Sequence, residues 1–200
     1  MKVARNVGRQ GCIALAVLLV ALVPRLLSLD VFLTSDELKW TCRAICFRAA
    51  LSSGDFAKTF QAGHPGVITM WAGTVGIPLG PSVEWLELCQ DPRISTFLDK
   101  VSPEAMARLA GLLFAARVPI ALITSATVLG IYLLVERLFG RRTALFSALL
   151  VALDPFYLAH SRLFHLDAVT TGFMTLSPVS YTHLRAHETR HDLVCRLLLE

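Results

Sequence analysis

Charge is what this chain has least of. Only 17% of its 200 residues are Asp, Glu, Lys or Arg, against 54% hydrophobic, and the mean hydropathy is +0.59. A soluble domain of this length needs more polar surface than that. The central stretches 13–23, 120–134 and 144–153 hold no charged residue at all, whereas transporters usually place ionisable groups or helix breaks near the bilayer midplane. The five cysteines (Cys12, Cys42, Cys46, Cys89, Cys195) contain no CxxC pair and no zinc spacing, so no redox or metal framework follows from them. Cys42 and Cys46 lie four apart on an expected helix, a separation that means a shared face rather than a bridge. A glycine-rich phosphate loop and a nucleophile elbow are both missing, which excludes two large classes of soluble catalyst. The net charge of +4 is modest and sits in loops; nucleic acid is not an expected partner.

What is present is apolar sequence in blocks that approach the ~20 residues a spanning helix requires. The expectation is an all-α, polytopic helical membrane protein. Residues 11–29 form the first span. Lys2, Arg5 and Arg9 precede it with no acid among them, which places the N-terminus in the cytoplasm. No small-x-small site follows, so an uncleaved anchor is favoured over a signal peptide. Residues 118–138 and 143–158 are the next spans, joined by a turn with Arg137, Arg141 and Arg142 around Gly140 that belongs inside. Another span starts near 168. The apolar block from His64 to Gly80 is short and bracketed by Pro65 and Pro78, so it reads as a juxtamembrane or re-entrant helix in a long outer loop, 30–116. The sites on that loop and at 160–167 then share one water-facing membrane surface, at a cell membrane crossed several times.

Two acidic sites lie there. Thr34-Ser35-Asp36-Glu37 fits a capping box that opens an amphipathic helix with apolar positions Leu38, Cys42, Ile45, Cys46 and Ala49. Acids favour a helix start for dipole reasons alone, so capping and catalysis both remain open for Asp36 and Glu37. Asp167, near Arg162 and His165, can equally cap the next helix or join a site. Arg117 opens the second span, where its charge would cost ~2.5–3.5 kcal/mol at mid-bilayer; it snorkels or meets a partner such as a lipid phosphate. Asp154-Pro155 is expected to kink its helix.

In order along the chain, Ser35-Asp36-Glu37, Leu51-Ser52-Ser53-Gly54-Asp55-Phe56, His64-Pro65-Gly66, Ala116-Arg117-Val118-Pro119, Leu138-Phe139-Gly140-Arg141-Arg142 and the stretch from Asp154 to Arg162, closed by Asp167, carry a likeness. Over about residues 10–177 the sequence resembles the N-terminal part of the phospholipid carrier-dependent glycosyltransferases of the GT-C fold, which include the protein O-mannosyltransferases and the lipid A aminoarabinose transferases. The resemblance implies transfer of a sugar from a polyprenyl phosphate donor to an acceptor hydroxyl of a protein, lipid or glycan at the outer face of the membrane. Inversion at the anomeric carbon in one displacement is part of that implication. Asp36 matches the family's candidate general base, and Glu37 and Asp167 would orient that site or hold a cation. Arg117 and Arg162 would neutralise the departing lipid phosphate. His64 lies where some relatives place a metal ligand, so the resemblance admits a divalent ion as cofactor. The alternatives are a polytopic transporter and a non-catalytic membrane scaffold.

From about Val179 the character changes. Val179-Ser180-Tyr181-Thr182-His183-Leu184-Arg185-Ala186-His187-Glu188-Thr189 and the residues after it resemble a translated sequencing-library adapter. Residues 178–200 are therefore expected to be a non-native tail, despite the four-residue recurrence of His183, His187 and His191 that would suit metal ligation. Residues 1–177 are expected to be an N-terminal piece of a longer transferase domain, inactive by itself.

Overall fold

A computed structural model of the chain describes residues 2–31, 33–63, 66–81 and 103–177. The described residues are helical, with no strand among them. His64, Cys89 and the tail 178–200 lie outside them. The helices, in chain order, are α1 (Lys2–Leu26), α2 (Ser35–Ser53), α3 (Val67–Gly76), α4 (Pro103–Phe139), α5 (Arg141–Leu153), α6 (Pro155–His160) and α7 (167–177). Single 3-10 turns occupy Phe56–Thr59 and Ile77–Leu79.

The boundaries differ from the sequence expectation in three places. Residues 103–116, assigned to the outer loop, are the first turns of α4, which runs for 37 residues. Leu109, Leu112, Leu113 and Ala116 on that stretch are all buried. It is their apolar spacing, rather than the neighbouring prolines and acids, that decides its structure. Within α4, Met106–Phe139 is the one helix among the described residues long and apolar enough to cross a membrane. Residues 143–158 do not form one helix. The backbone turns extended at Asp154 (ψ 120°) and restarts at Pro155, because proline is accepted at a helix start and not inside. The amphipathic face of α2 is also displaced. It buries Glu37, Leu38, Trp40, Thr41, Ala44, Phe47 and Ala50, while Ala49 is exposed.

Other readings agree. The capping box of α2 is formed, with Thr34 as N-cap and Glu37 at the third helical position, and Gly54 closes the helix in the left-handed conformation (φ 73°). Helix α3 has 10 residues, about 15 Å, too short to span. Cys42 is disulfide-bonded, which the cysteine spacing did not suggest. Cys46 is free, so the pair four apart is not the bridge.

The described residues divide into two compact units: those within 2–21, 125–154 and 170–177 in one, those within 22–124 and 155–169 in the other. In the first, α5 buries an alanine stripe at Ala144, Ala148 and Ala152, the small-residue spacing that lets helices approach closely. The second holds both acidic sites. Its core comprises Trp40, Ala44 and Phe47 of α2, Met70 and Ala72 of α3, Ala116 and Ile120 of α4, and Phe164.

Glycines set the packing distance of α3. A Cβ at Gly73 would lie 2.5 Å from the Ala44 methyl and 2.7 Å from the Phe164 ring, and one at Gly76 would lie 2.3 Å from the Ala115 carbonyl oxygen. These approaches exist only because hydrogen replaces a methyl. Gly76→Ala meets backbone rather than a movable side chain, so it should cost about 1–3 kcal/mol, the usual range for overpacking. Gly11→Ala, in open space, should cost nothing. Thermal or denaturant unfolding of the detergent-solubilised protein checks both; equal stability of the two variants would show that α3 is not packed as described.

Candidate functional site

Glu37 and Asp36 are neighbours, so helical geometry turns their side chains about 100° apart. Glu37 points inward and is fully buried; Asp36 points outward. Arg117, only 1% exposed, meets Glu37 as a two-pronged partner. Its Nε donates to Oε1 at 2.7 Å and its Nη2 to Oε2 at 2.6 Å. The remaining guanidinium nitrogen donates to the carbonyls of Leu29 and, at 3.3 Å, Val31. Oε1 also accepts the backbone N–H of Phe164 at 2.7 Å, and Oε2 accepts the backbone N–H of Thr34 at 3.1 Å. A buried carboxylate is tolerated only when it is matched in charge and hydrogen bonds, and this one is. Through Glu37, the chain after α1, the start of α2, the middle of α4 and the loop 161–166 are fixed to one another.

Arg162 has a comparable duty. It donates to the carbonyls of Leu27 and, at 2.9 Å, Ser28, where the chain leaves α1 with Ser28 at positive φ (52°). The sequence reading assigned Arg117 and Arg162 to a donor phosphate; here both guanidinium groups engage protein acceptors. His64 lies outside the described residues. Among the described residues no group of three or more His, Cys, Asp and Glu is placed to hold a metal ion.

Asp36 is the exposed acid. Lys39 lies 3.0 Å from its carboxylate, one turn on. That hydrogen bond and charge, with smaller contributions from the His165 and Arg43 charges, hold the Asp36 carboxyl below its ordinary value. His165 links it to the second site. Its Nδ1 lies 3.2 Å from Asp167, and its ring stands edge-on to Trp40 with centroids 6.1 Å apart. Arg43 lies over the other part of this surface, its guanidinium carbon 4.7 Å from the Trp40 ring centre. The sequence reading did not single out Lys39, Trp40 and Arg43. Their spacing from Asp36 (three, four and seven residues) puts all of them along one side of α2, and that periodicity was the available signal.

Residues 104–198 match the family model described as dolichyl-phosphate-mannose-protein mannosyltransferase. The match spans just under half of the chain. It includes Arg117, Arg162 and Asp167, omits Asp36 and Glu37, and runs into the segment read as adapter-like. It supports a membrane-associated glycosyltransferase of the mannosyltransferase kind. No curated protein matches the chain, and neither does a solved structure.

Two outcomes follow from this geometry. Glu37→Gln and Arg117→Met should each destabilise the fold by about 3–5 kcal/mol, since each strands a buried charge, while the double variant should lose clearly less than the two together. Additive losses in denaturant titrations would show that the pair is not coupled. Lys39→Met should raise the Asp36 carboxyl toward its ordinary value, read by carbon-detected titration. A carboxyl held low contributes stability above its unfolded pKa and loses it as pH falls through the folded one; the Asp36–Lys39 bond therefore persists at neutral pH and is lost only in acid.

Proposed function

We propose that this chain is part of an integral membrane glycosyltransferase that moves a sugar from a polyprenyl phosphate carrier to an acceptor hydroxyl on a protein, lipid or glycan. The observation that carries the reading is the division of labour in Asp36-Glu37. One acid is sealed in the core, and the next is exposed, bonded to Lys39 and within the field of Arg43 and His165. The mannosyltransferase family match over 104–198 points the same way.

In this reading Asp36 is the general base. Held ionised by Lys39, its carboxylate takes the proton of the acceptor hydroxyl as the oxygen attacks the anomeric carbon from the face opposite the phosphate. The carbon–oxygen bond to the phosphate breaks, and its electron pair leaves with the carrier. The product is inverted at that carbon. Asp167 orients His165 at the edge of the site. Glu37 holds the frame, enclosed by Arg117, Thr34 and Phe164. No step is assigned to a metal ion.

The outer face is the natural side for this chemistry. A disulfide at Cys42 belongs to an oxidising compartment, and Cys42 lies on α2 with Asp36. The arginines around Gly140 have the composition of a cytoplasmic loop.

The test is Asp36→Asn in the complete enzyme, which keeps size and most hydrogen bonding but cannot accept a proton. Proton transfer by a placed side chain contributes typically ~10²–10⁴-fold. Sugar transfer from polyprenyl phosphate should fall by that factor with insertion and folding unchanged. Asp55→Asn is the control, because Asp55 makes a similar exposed bond to Lys58 at 2.8 Å away from this surface. Comparable activity in the two variants would defeat the assignment.

A further inference from the structure

The proposed reaction leaves a negative charge on the carrier phosphate, and that charge needs a cation. Arg117 and Arg162 already hold protein acceptors. Three side chains that can carry positive charge act on Asp36: Lys39, Arg43 and His165. Lys39 is bonded to Asp36 itself and His165 to Asp167. Arg43 differs from both. Among the described residues it forms no salt bridge, and it is half-buried and laid over the Trp40 ring.

We infer that Arg43 is the binding residue for the phosphate of the polyprenyl donor. This rests on the transferase reading and adds to it a place for the leaving group. The spacing fits an in-line displacement. Arg43 follows Asp36 by seven residues, almost two full turns, so both lie on one side of α2 about 10.5 Å apart along its axis. An in-line transfer strings together a base-to-acceptor hydrogen bond of about 2.6–3.2 Å, an approach to the carbon of about 3–3.5 Å, the breaking bond, and a charge-assisted contact of about 2.7–2.9 Å. End to end that is about 10 Å. The 10.5 Å is the separation of the two backbone positions, and it places a proton acceptor and a cation on one side of α2 at a spacing of the order that such a transfer spans.

The placement of Arg43 also prepares it for the task. The Trp40 ring is itself pinned: it is 3% exposed and lies where a Cβ at Gly66 would come within 2.1 Å. A guanidinium stacked on a fixed ring has already lost much of its rotamer freedom and has a low-dielectric wall behind it. Its planar fork suits two phosphate oxygens at once.

Binding can be separated from turnover by working in the Asp36→Asn background, where donor is not consumed. Farnesyl phosphate in detergent micelles is the probe for the phosphate subsite, with farnesol as the uncharged comparison. Asp36→Asn should bind the phosphate and discriminate against the alcohol. Adding Arg43→Met should weaken phosphate binding about ten- to hundredfold, the range for a lost charge-assisted hydrogen bond, with farnesol binding unchanged. Arg43→Lys should retain part of the affinity, and its point charge keeps the test open if the Met variant does not fold. Arg48→Met, an exposed arginine on the same helix, should bind as the parent does. Unchanged phosphate binding in the folded Arg43 variants, or an equal loss in Arg48→Met, overturns the assignment of Arg43. Full transfer activity in Asp36→Asn alone overturns the transferase chemistry instead, so the two failures are distinct.

Discussion

The unit that carries both acidic sites depends on one buried ion pair. Glu37 and Arg117 are 80 residues apart in sequence, and their contact closes the long connection between α1 and the long apolar helix α4. Removing two charges from water is expensive, and a pair repays this only with near-ideal geometry and its other hydrogen-bonding positions filled. Both conditions are met. The fork of the arginine matches the carboxylate, and backbone groups from Thr34, Leu29 and Phe164 complete the shell. Such an arrangement has few near-equivalents, so it selects one packing of these segments over others of similar hydrophobic content.

The rest of the unit is built to allow that closure. Helix α3 approaches α2 and α4 to distances that a single methyl would forbid at Gly73 and Gly76. Trp40 fills the space over Gly66 and stands perpendicular to the His165 ring. The ionisable groups that remain outside, Asp36, Lys39, Arg43, His165 and Asp167, then sit on a rigid support rather than on a loop free to wander. A positioned group on such a support loses little binding energy to ordering.

Part of this was legible in the sequence. The capping box at Thr34 and Glu37 is a local pattern and was read correctly, as were the short α3 and the glycine turn at Gly140; Asp154-Pro155 was expected to kink one helix and instead separates two. The buried face of α2 was not read correctly, because it includes Glu37 and Thr41. Polar residues in a core mislead any reading that equates the inner face with apolar ones, and only the distant Arg117 makes Glu37 acceptable there. A partner 80 residues away leaves no mark in a single sequence. The early start of α4 was missed for a similar reason: Leu109, Leu112 and Leu113 are buried against tertiary neighbours, while the adjacent Pro103 and Glu104 resemble loop. Asp36 and Glu37 were assigned different roles only through the family resemblance; that Glu37 is buried and Asp36 exposed follows from packing and leaves no mark in the sequence.

The hydrogen bond from the Phe164 backbone to Glu37 limits how this protein can change over generations. Surface loops ordinarily absorb insertions and deletions at little cost. The loop 161–166 is pinned at its middle by Phe164 and at its start by Arg162, which grips the end of α1. Adding or removing one residue there would shift Phe164 out of reach of the carboxylate and carry His165 away from Trp40 in the same step. Loop length, rather than the identity of its side chains, is therefore the quantity that must be preserved.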